Sequence, residues 1–584
     1  MPTASPLEGY AALSALINQL DEYLPRKHPE FFGPRGYHPA LPVRRAKVIH
    51  DNLWGTNRFS WRELVLIDSP ILQRLRDIHQ VGLAFQVYPS ARHTRFEHSL
   101  GVVTLASRIF EALLQREAGE IRNIAQVIAP GIKAETTILH LRQELRLAAL
   151  LHDTGHSLFS HASEQVYGEL KLLREASGEL TALVGKEKGA GEVIAFCMAQ
   201  TRSVAEILAR AKTKVFGDTL SEDYDGEIDM ANVALIIVGR SKHPFLQFLG
   251  DIVSSGFDAD KLDYLVRDAT AAGLPLRYDL ERYLYAVRLE RNILADGKGK
   301  LERLYRCIGK LNIERRPPQP GRVDPYYETY RLRLPRQAMN TIEQIVICKL
   351  MLYSYIYHHK KVRSAEGMLG KMLERMVRHW RGDGETDTQI LERFLTMTDS
   401  VLRESLFAEA ADNLVRQYSY RLVNRLLPRE AFRFSSADAS YAERAPLTDF
   451  LTSLQDKDER GPLKAKLEQA IGEELLTIDP ALGPTSLDAL GAAGVWVDVP
   501  TETKFEDVDE LLVGGIGGVP GVPLVDVFPI RQWTQAYKAF KYQVRIFAFS
   551  ERLLIVQEAA KKAMQRVIGI QGDSFYNKIK PTRS

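Results

Sequence analysis

The chain has 584 residues, 45% of them hydrophobic and 26% charged, with 77 Lys and Arg against 74 Asp and Glu for a net charge of +3. This composition excludes disordered and fibrous classes, and the length suggests roughly three or four domain-sized units with a large buried core. Near neutrality leaves no global positive field for a polyanion, so charge does not indicate nucleic acid, although a local basic patch stays open.

The N-terminal segment MPTASPLEGYAALSALINQL lacks the basic start and unbroken apolar run of a signal peptide, and no later apolar stretch reaches the roughly 20 residues that span a bilayer. The expected location is cytoplasmic, with no membrane partner. Cys197, Cys307 and Cys348 are odd in number and lack CxxC pairing. This argues against a disulfide framework or a thiolate zinc site, and fits a reducing compartment.

Residues 1–44 read as an N-terminal extension: an amphipathic helix from Leu13 to Leu24, then a Pro/Gly-punctuated tether from Pro25 to Pro42. It would dock on the body or on another subunit. Over 45–380 helical periodicity dominates, as in Leu100, Val103, Leu105, Ile109, Phe110 and Leu113. The polar stretch RGDGETD at 381–387 reads as a linker to a C-terminal lobe, 381–584, where Ile390 to Leu427 turns helical again. Alternation at Val495 to Val499 and Val525 to Phe528 predicts short strands, and the Gly-rich run Gly514 to Gly521 a loop. That run lacks the GK[ST] ending of a phosphate-cradling P-loop. A last helix spans Glu551 to Ile568. The expected fold is mainly α: a helical core, a smaller α+β C-terminal lobe and short hairpins.

Three segments carry chemistry: RFEH at 95–98, LLHDTGH at 150–156 and FDADKLDY at 257–264. Each alone is weak, because a lone His in a helical protein is more often a satisfied core residue. Their placement strengthens them. His98 opens an apolar helix, while His152 and Asp153 end another behind Leu145, Leu147, Ala148, Leu150 and Leu151. Burying a His-Asp pair there is unfavourable unless something satisfies it, and a cation would. Two imidazoles plus two carboxylates, with Asp260, make a mixed nitrogen and oxygen set suited to Mn, Fe, Mg or Zn. Water on such an ion becomes acidic.

In this order the segments resemble the H…HD…D signature of the HD-superfamily hydrolases. KVIHD at 47–51, IDSPILQRLR at 67–76 and HQVG at 79–82 narrow the resemblance to its deoxynucleotide triphosphohydrolases, densely over residues 45–290. The resemblance implies cleavage of a deoxynucleoside triphosphate at its α-phosphorus into deoxynucleoside and triphosphate, with His98, His152, Asp153 and Asp260 as metal ligands. It implies Arg95, Lys261 and His156 at the phosphates, and His161 as the acid that protonates the leaving 5′-oxygen. Tyr264, Asp268 and Gln80 match substrate contacts, Asp268 at the sugar 3′-hydroxyl, and Val81 matches an apolar residue that crowds a 2′-hydroxyl. Tyr357, His358, His359 and Lys360 resemble a helix over the base. Lys47, Asp68, Gln73 and Arg76 match an activator site for a guanine nucleotide or deoxynucleotide between subunits, which implies a homo-oligomer.

The sequence also departs from the family. The family's His-Glu pair after the HD motif here reads Gly191-Glu192, and no His lies between His161 and His243. Glu164 replaces the Asp that orients the missing His, and His50 replaces an Asn in the activator pocket. His156, His161 and Glu164 would share one face if the helix continued. Two further readings stay open: an HD phosphodiesterase or nuclease with a groove bordered by Arg315, Arg316 and Pro317 to Pro320, and a nucleotide-sensing oligomer with weakened catalysis.

Overall fold

A computed structural model describes residues 9–33, 47–211, 227–295, 302, 304, 316–317, 325–403, 410, 412–435, 444–454, 456–499, 512–514, 522–533 and 543–569. Helix α1 (Ala11–Lys27) turns Leu13, Leu16, Leu20 and Leu24 inward, the three-and-four spacing that builds one apolar face. It docks on the body of this same chain. The Glu179 carboxylate accepts the N–H groups of Ala12 and Leu13 at 3.1 and 2.8 Å, satisfying two orphan donors of the helix start. Pro25 lies inside α1, and Pro29–Phe32 forms a further short helix that buries Phe31 and Phe32. The expected tether therefore does not begin at Pro25, and its part from residue 34 to 42 lies outside the described residues.

Strands β1 (Lys47–Asp51) and β2 (Gly55–Phe59) pair as an antiparallel hairpin from Lys47↔Phe59 to Asp51↔Gly55. Its turn closes because Asp51 Oδ1 accepts the N–H of Leu53 and Trp54, and because Gly55 takes φ +72°, which a side chain resists. Helix α2 (Trp61–Ile67) starts with a Ser60 and Glu63 capping box. The Glu63 carboxylate is buried, yet Arg146 grips both its oxygens at 2.5 and 2.8 Å and also donates to Ser107 Oγ and the Arg58 carbonyl. That bidentate pair ties the hairpin to the two central helices.

Those helices are α3 (Arg95–Arg116) and α4 (Ala134–Leu151), packed against each other. The side chains of Leu145, Leu147, Leu150 and Leu151 are wholly buried, each worth about 1.5–3 kcal/mol of transfer free energy. After α4 the chain forms α5 (His161–Tyr167), α6 (Lys171–Val184), α7 (Ala190–Ala199) and, further on, α8 (Ala259–Ala271). α1 lies across α6 and α7, and α8 lies across α3.

A long antiparallel pair, β3 (Arg288–Ala295) with β4 (Tyr326–Pro335), interrupts the helical body. Helix α9 (Met339–Leu352) runs into a π-helical turn at Tyr353–Tyr357, breaks at His358 and His359, and resumes as α10 (Lys360–Gly382). The expected continuous helix through Tyr357 to Lys360 is therefore broken. RGDGETD is a tight turn into α11 (Asp387–Thr396), clamped by Arg381 to Asp387 at 2.9 Å. Then follow α12 (Asn413–Val423), β5 (Arg429–Phe434), α13 (Lys457–Ile478), β6 (Trp496–Asp498), β7 (Leu512–Gly514) and β8 (Val522–Pro523).

Leu524–Val527 is a helical turn, α14, and not the strand expected at Val525 to Phe528; Pro523 starts it and leaves no ladder donor at that position. Of the Gly-rich run, residues 515 to 521 lie outside the described residues. β9 (Val544–Ala548) and α15 (Leu553–Ile568) complete the fold. Two further sheets run β3-β4-β7-β8 and β5-β9-β6.

The fold is mainly α, with a smaller α+β lobe at the C-terminal side. Two apolar cores result: a large one through α1 to α12, and a smaller one between the β5-β9-β6 sheet and helices α13 and α15. Helix α10 bridges them. At Gly367 it presses so closely on β6 that a Cβ would stand 2.1 Å from the Trp496 ring nitrogen, and Arg363 nearby pairs with Asp498 at 2.6 Å. Gly367→Ala should therefore destabilise the protein by about 1–3 kcal/mol through overpacking, read as a lower melting temperature by calorimetry. Gly370→Ala, whose added Cβ meets nothing within 4 Å, should not.

Candidate functional site

Arg95 and His98 stand three residues apart on the first turn of α3 and so share a face. His98 has no exposed surface. Its Nδ1 donates to Asp263 Oδ2 at 2.7 Å, which turns Nε2 inward. His152 caps the C-terminus of α4 and is oriented the same way, by Nδ1–H to the Ala149 carbonyl at 2.7 Å. The two rings lie 5.2 Å apart at 70°. Asp153 follows directly, and Asp260 enters from the first turn of α8.

One ligating atom each from His98, His152 and Asp153 falls within 4.8 Å of the others. Asp260 Oδ1 joins them, 3.0 Å from His98 Nε2 and 3.9 Å from His152 Nε2. His152 Nε2 is buried without a hydrogen bond, while His98 Nε2 faces Asp260 Oδ1 and Asp153 Oδ2 is paired with Arg95 Nη1 at 2.7 Å. An orphan of this kind costs about 1–3 kcal/mol, and a divalent cation would satisfy it while taking the neighbouring imidazole and carboxylates as further ligands. The donor set is thus compatible with a divalent metal.

The charged groups of the site pair with one another. Burial opposes charge on every group here, and specific partners overcome it. Asp260 and Asp263 hold the His98 pKa at about 10, Arg95 holds the Asp153 carboxyl well below the usual range, and His98 draws Asp260 down to about 2. Arg95 Nη1 lies 2.7 Å from Asp153 Oδ2, while its Nη2 is buried without a partner.

A second group sits beside the first. His156 Nε2 is 3.5 Å from Asp153 Oδ1, its ring is 5.1 Å from that of His161, and His161 Nδ1 meets Glu164 Oε2 at 2.8 Å. These three residues do not lie on one continued helix, as the spacing had suggested. α4 stops at Leu151 and α5 starts at His161, so a loop folds back to bring them together. Burial, with Arg95 adding to it, drives the His156 pKa down to about 3. For His161, Glu164 holds the ring above its ordinary value. His161 is also exposed over 75% of its side chain, at the mouth of the site.

The loop is strained and firmly held. Phe159 and Ser160 adopt φ of 49° and 56°, a region that L side chains disfavour. Asp399, just after α11, accepts the Phe159 N–H at 2.5 Å and the His79 N–H at 2.9 Å, and also engages His79 Nδ1. Ser160 Oγ donates to the His79 carbonyl and accepts from Arg95 Nε at 2.7 Å. Arg74 donates to the carbonyls of Thr154 and His156.

Gly191 lies against this loop. A Cβ there would come within 2.8 to 3.0 Å of three atoms of the His156 ring, and the Gly191 N–H donates to Glu164 Oε1 at 2.8 Å. The space of a side chain at 191 is therefore taken by His156.

Of the remaining expected residues, Lys261 pairs with Asp258 at 2.8 Å beside Asp260. Both oxygens of Asp268 are engaged, Oδ1 by His93 Nε2 at 2.8 Å and Oδ2 by the Tyr357 hydroxyl. Gln80 Oε1 is buried without a partner, Val81 is buried, and Tyr264 is half-buried on α8. Lys47 and His50 lie exposed on β1, whereas Asp68, Gln73 and Arg76 lie just after α2. Gln73 Oε1 accepts from Arg76 Nε at 2.9 Å, and the Arg76 guanidinium stacks 3.7 Å above the Phe96 ring. No hydrogen bond or ion pair joins these two groups among the described residues.

Sequence reasoning missed several residues. Asp263 and Arg267 back His98, and their i and i+3 or i+4 spacing from Asp260 and Asp263 was a usable signal. Lys349, a buried cation in the apolar helix α9, has its pKa lowered to about 7 by burial and by Lys261. A lone Lys on an apolar face was its only trace. Asp399 had no local signal at all.

Comparison with known proteins finds an HD domain over residues 95–196. An uncharacterized protein of Methanocaldococcus jannaschii is 26% identical over 400 residues, 67% of this chain and 64% of that one. The deoxynucleoside triphosphate triphosphohydrolase SAMHD1 of Bos taurus is 31% identical over 252 residues, covering 42% of this chain and 38% of that protein. Its Xenopus laevis counterpart is 23% identical over 432 residues, 69% and 60% of the two chains. The chain thus spans less than two thirds of the length of these relatives. A solved structure of a hypothetical protein from Aquifex aeolicus shares the fold, with a TM-score of 0.52 at 20% identity over 88% of this chain and 100% of that one. The HD domain and these relatives support an HD-domain, dNTPase-like family. Among the described residues no helix is long and apolar enough to cross a membrane.

Gly191→Ala should push the His156 ring aside and lower stability by about 1–3 kcal/mol, measured by thermal unfolding. Calorimetric uptake of Mn²⁺ should stay unchanged, because none of the proposed ligands moves.

Proposed function

We propose that this protein is a metal-dependent phosphohydrolase that cleaves deoxynucleoside triphosphates to deoxynucleoside and triphosphate. One observation carries the reading: the ligating atoms of His98, His152, Asp153 and Asp260 converge, with His152 Nε2 buried and unpartnered, beside Arg95 and an exposed histidine. What a divalent ion supplies there is Lewis acidity toward a phosphoryl oxygen and an acidified water.

The protein's own groups do the rest. Arg95, through its unpartnered Nη2, with Lys261 and Lys349 receives the negative charge of the polyphosphate, which grows in the transition state. His161, its pKa raised by Glu164, gives its proton to the departing 5′-oxygen. His156, held neutral, can contact phosphate only as an uncharged donor or acceptor. Gln80 Oε1 offers a free acceptor, and the Asp268 carboxylate becomes available to a sugar hydroxyl once Tyr357 or His93 yields. Val81 crowds a ribose 2′-hydroxyl, a modest discrimination.

The same reading places an activating guanine nucleotide or deoxynucleotide at Lys47, His50, Asp68, Gln73 and Arg76, completed by a second copy of the chain. Its support is the exposed polar edge of these residues and a guanidinium already held flat on Phe96. Manganese, magnesium, iron and zinc all suit the ligand set.

The test is chromatographic separation of products from each deoxynucleotide, singly and mixed, with Mn²⁺ or Mg²⁺. Triphosphate plus deoxynucleoside is expected, abolished by chelator and by Asp153→Ala. His161→Gln should lower kcat about 10²–10⁴-fold while Mn²⁺ uptake persists. Absence of triphosphate under every mixture would refute the substrate assignment.

A further inference from the structure

The β1–β2 hairpin reaches the metal centre through buried hydrogen bonds. Asp263, with no exposed surface, accepts four of them: from His98 Nδ1 at 2.7 Å, from Trp54 Nε1 at 2.5 Å, and from Arg267 Nε and Nη2 at 2.7 and 2.9 Å. Arg267 Nη2 donates in turn to Asp51 Oδ2 at 2.8 Å. Asp51 and Trp54 both belong to the hairpin turn, and Asp51 Oδ1 holds that turn closed through the N–H groups of Leu53 and Trp54. One carboxylate thus joins three elements: the metal-ligand helix α3, helix α8 and the hairpin.

From this geometry we infer that Trp54 and Asp51 are positioning residues for the metal ligand His98, acting through Asp263 and Arg267. The mechanism is geometric. A ligating imidazole needs its far nitrogen held by an acceptor, which fixes both ring orientation and tautomer. Asp263 can serve only if its own oxygens are pinned, because a carboxylate rotates about its Cβ–Cγ bond. Arg267 grips both oxygens from its own helix, and Trp54 pins Oδ1 from outside it, which sets the rotation of the group relative to α3.

Close packing leaves this arrangement little slack. A Cβ on Gly101 of α3 would fall 2.0 Å from Asp263 Oδ1 and 2.4 Å from Arg267 Nη2, so the α3 backbone bears directly on the pair. β1 carries Lys47 and His50, so whatever grips the hairpin also acts on the acceptor behind His98. The inference rests on the metal centre of the proposed function, though not on the identity of its substrate.

Trp54→Phe keeps most of the ring and removes only the Nε1 donor. Asp51→Asn keeps the Oδ1 acceptor that closes the turn and removes the charge facing Arg267. Calorimetric titration of metal-free, full-length protein with Mn²⁺ should show affinity about tenfold weaker for each variant, the range of outer-shell losses at metal-ligating histidines. Melting temperatures without metal report on folding, and activity of the variants should recover at high Mn²⁺, which a merely structural defect would not do. Variants that fold and bind Mn²⁺ as tightly as wild type overturn the inference while leaving the metal centre intact. Wild-type protein that takes up no Mn²⁺ refutes the centre itself, and the inference with it.

Discussion

The buried Asp263 carboxylate sets the terms for everything around it. A carboxylate without access to water stays ionised only when donors fill its lone pairs, and here His98, Trp54 and Arg267 do so, Arg267 foremost in holding its pKa far below the usual range. Because it is ionised, it holds His98 with Nε2 pointing away. Because it is buried, the same three donors must remain where they are. The metal site is therefore built outward from a satisfied acceptor, with the ligating atoms converging at its centre.

The second cluster is packed around a position that carries no side chain, Gly191. With Gly at 191, the loop after the HD pair comes within backbone contact of α7: a Cβ on Gly155 would stand 2.0 Å from the Gly191 carbonyl oxygen. His156 occupies the vacant volume. Glu164, one methylene longer than Asp, spans from His161 on one oxygen to the Gly191 N–H on the other. The result is a neutral imidazole packed inside and a more basic one outside, two histidines pushed apart in acidity by burial and one carboxylate.

Loop geometry depends on the more distant C-terminal residues. The left-handed backbone at Phe159 and Ser160 persists because Asp399, Arg74 and Ser160 itself saturate the loop's polar groups. The order of connection runs from Asp399 to His79, Ser160, Arg95 and Asp153, a chain of direct contacts from the end of α11 to a metal ligand. Helix α10 then carries the smaller α+β core, seated on Gly367 and on the Arg363 to Asp498 ion pair.

The sequence by itself determined the helical body, a helix opening near His98, another ending at the His152-Asp153 pair, and the three segments that carry His98, His152, Asp153 and Asp260. The reason is local: apolar periodicity sets which face is buried, and a polar pair behind a leucine run has few uses. Gly191 was equally legible as a departure. Only the tertiary structure decided that His156 fills the space at 191, that Asp399 clamps the loop, and that Trp54 reaches Asp263. Those facts rest on contacts between residues far apart in the chain, such as Trp54 with Asp263 across 209 positions and Phe159 with Asp399 across 240. No local pattern encodes such contacts, because each partner alone looks like an ordinary tryptophan, aspartate or loop residue.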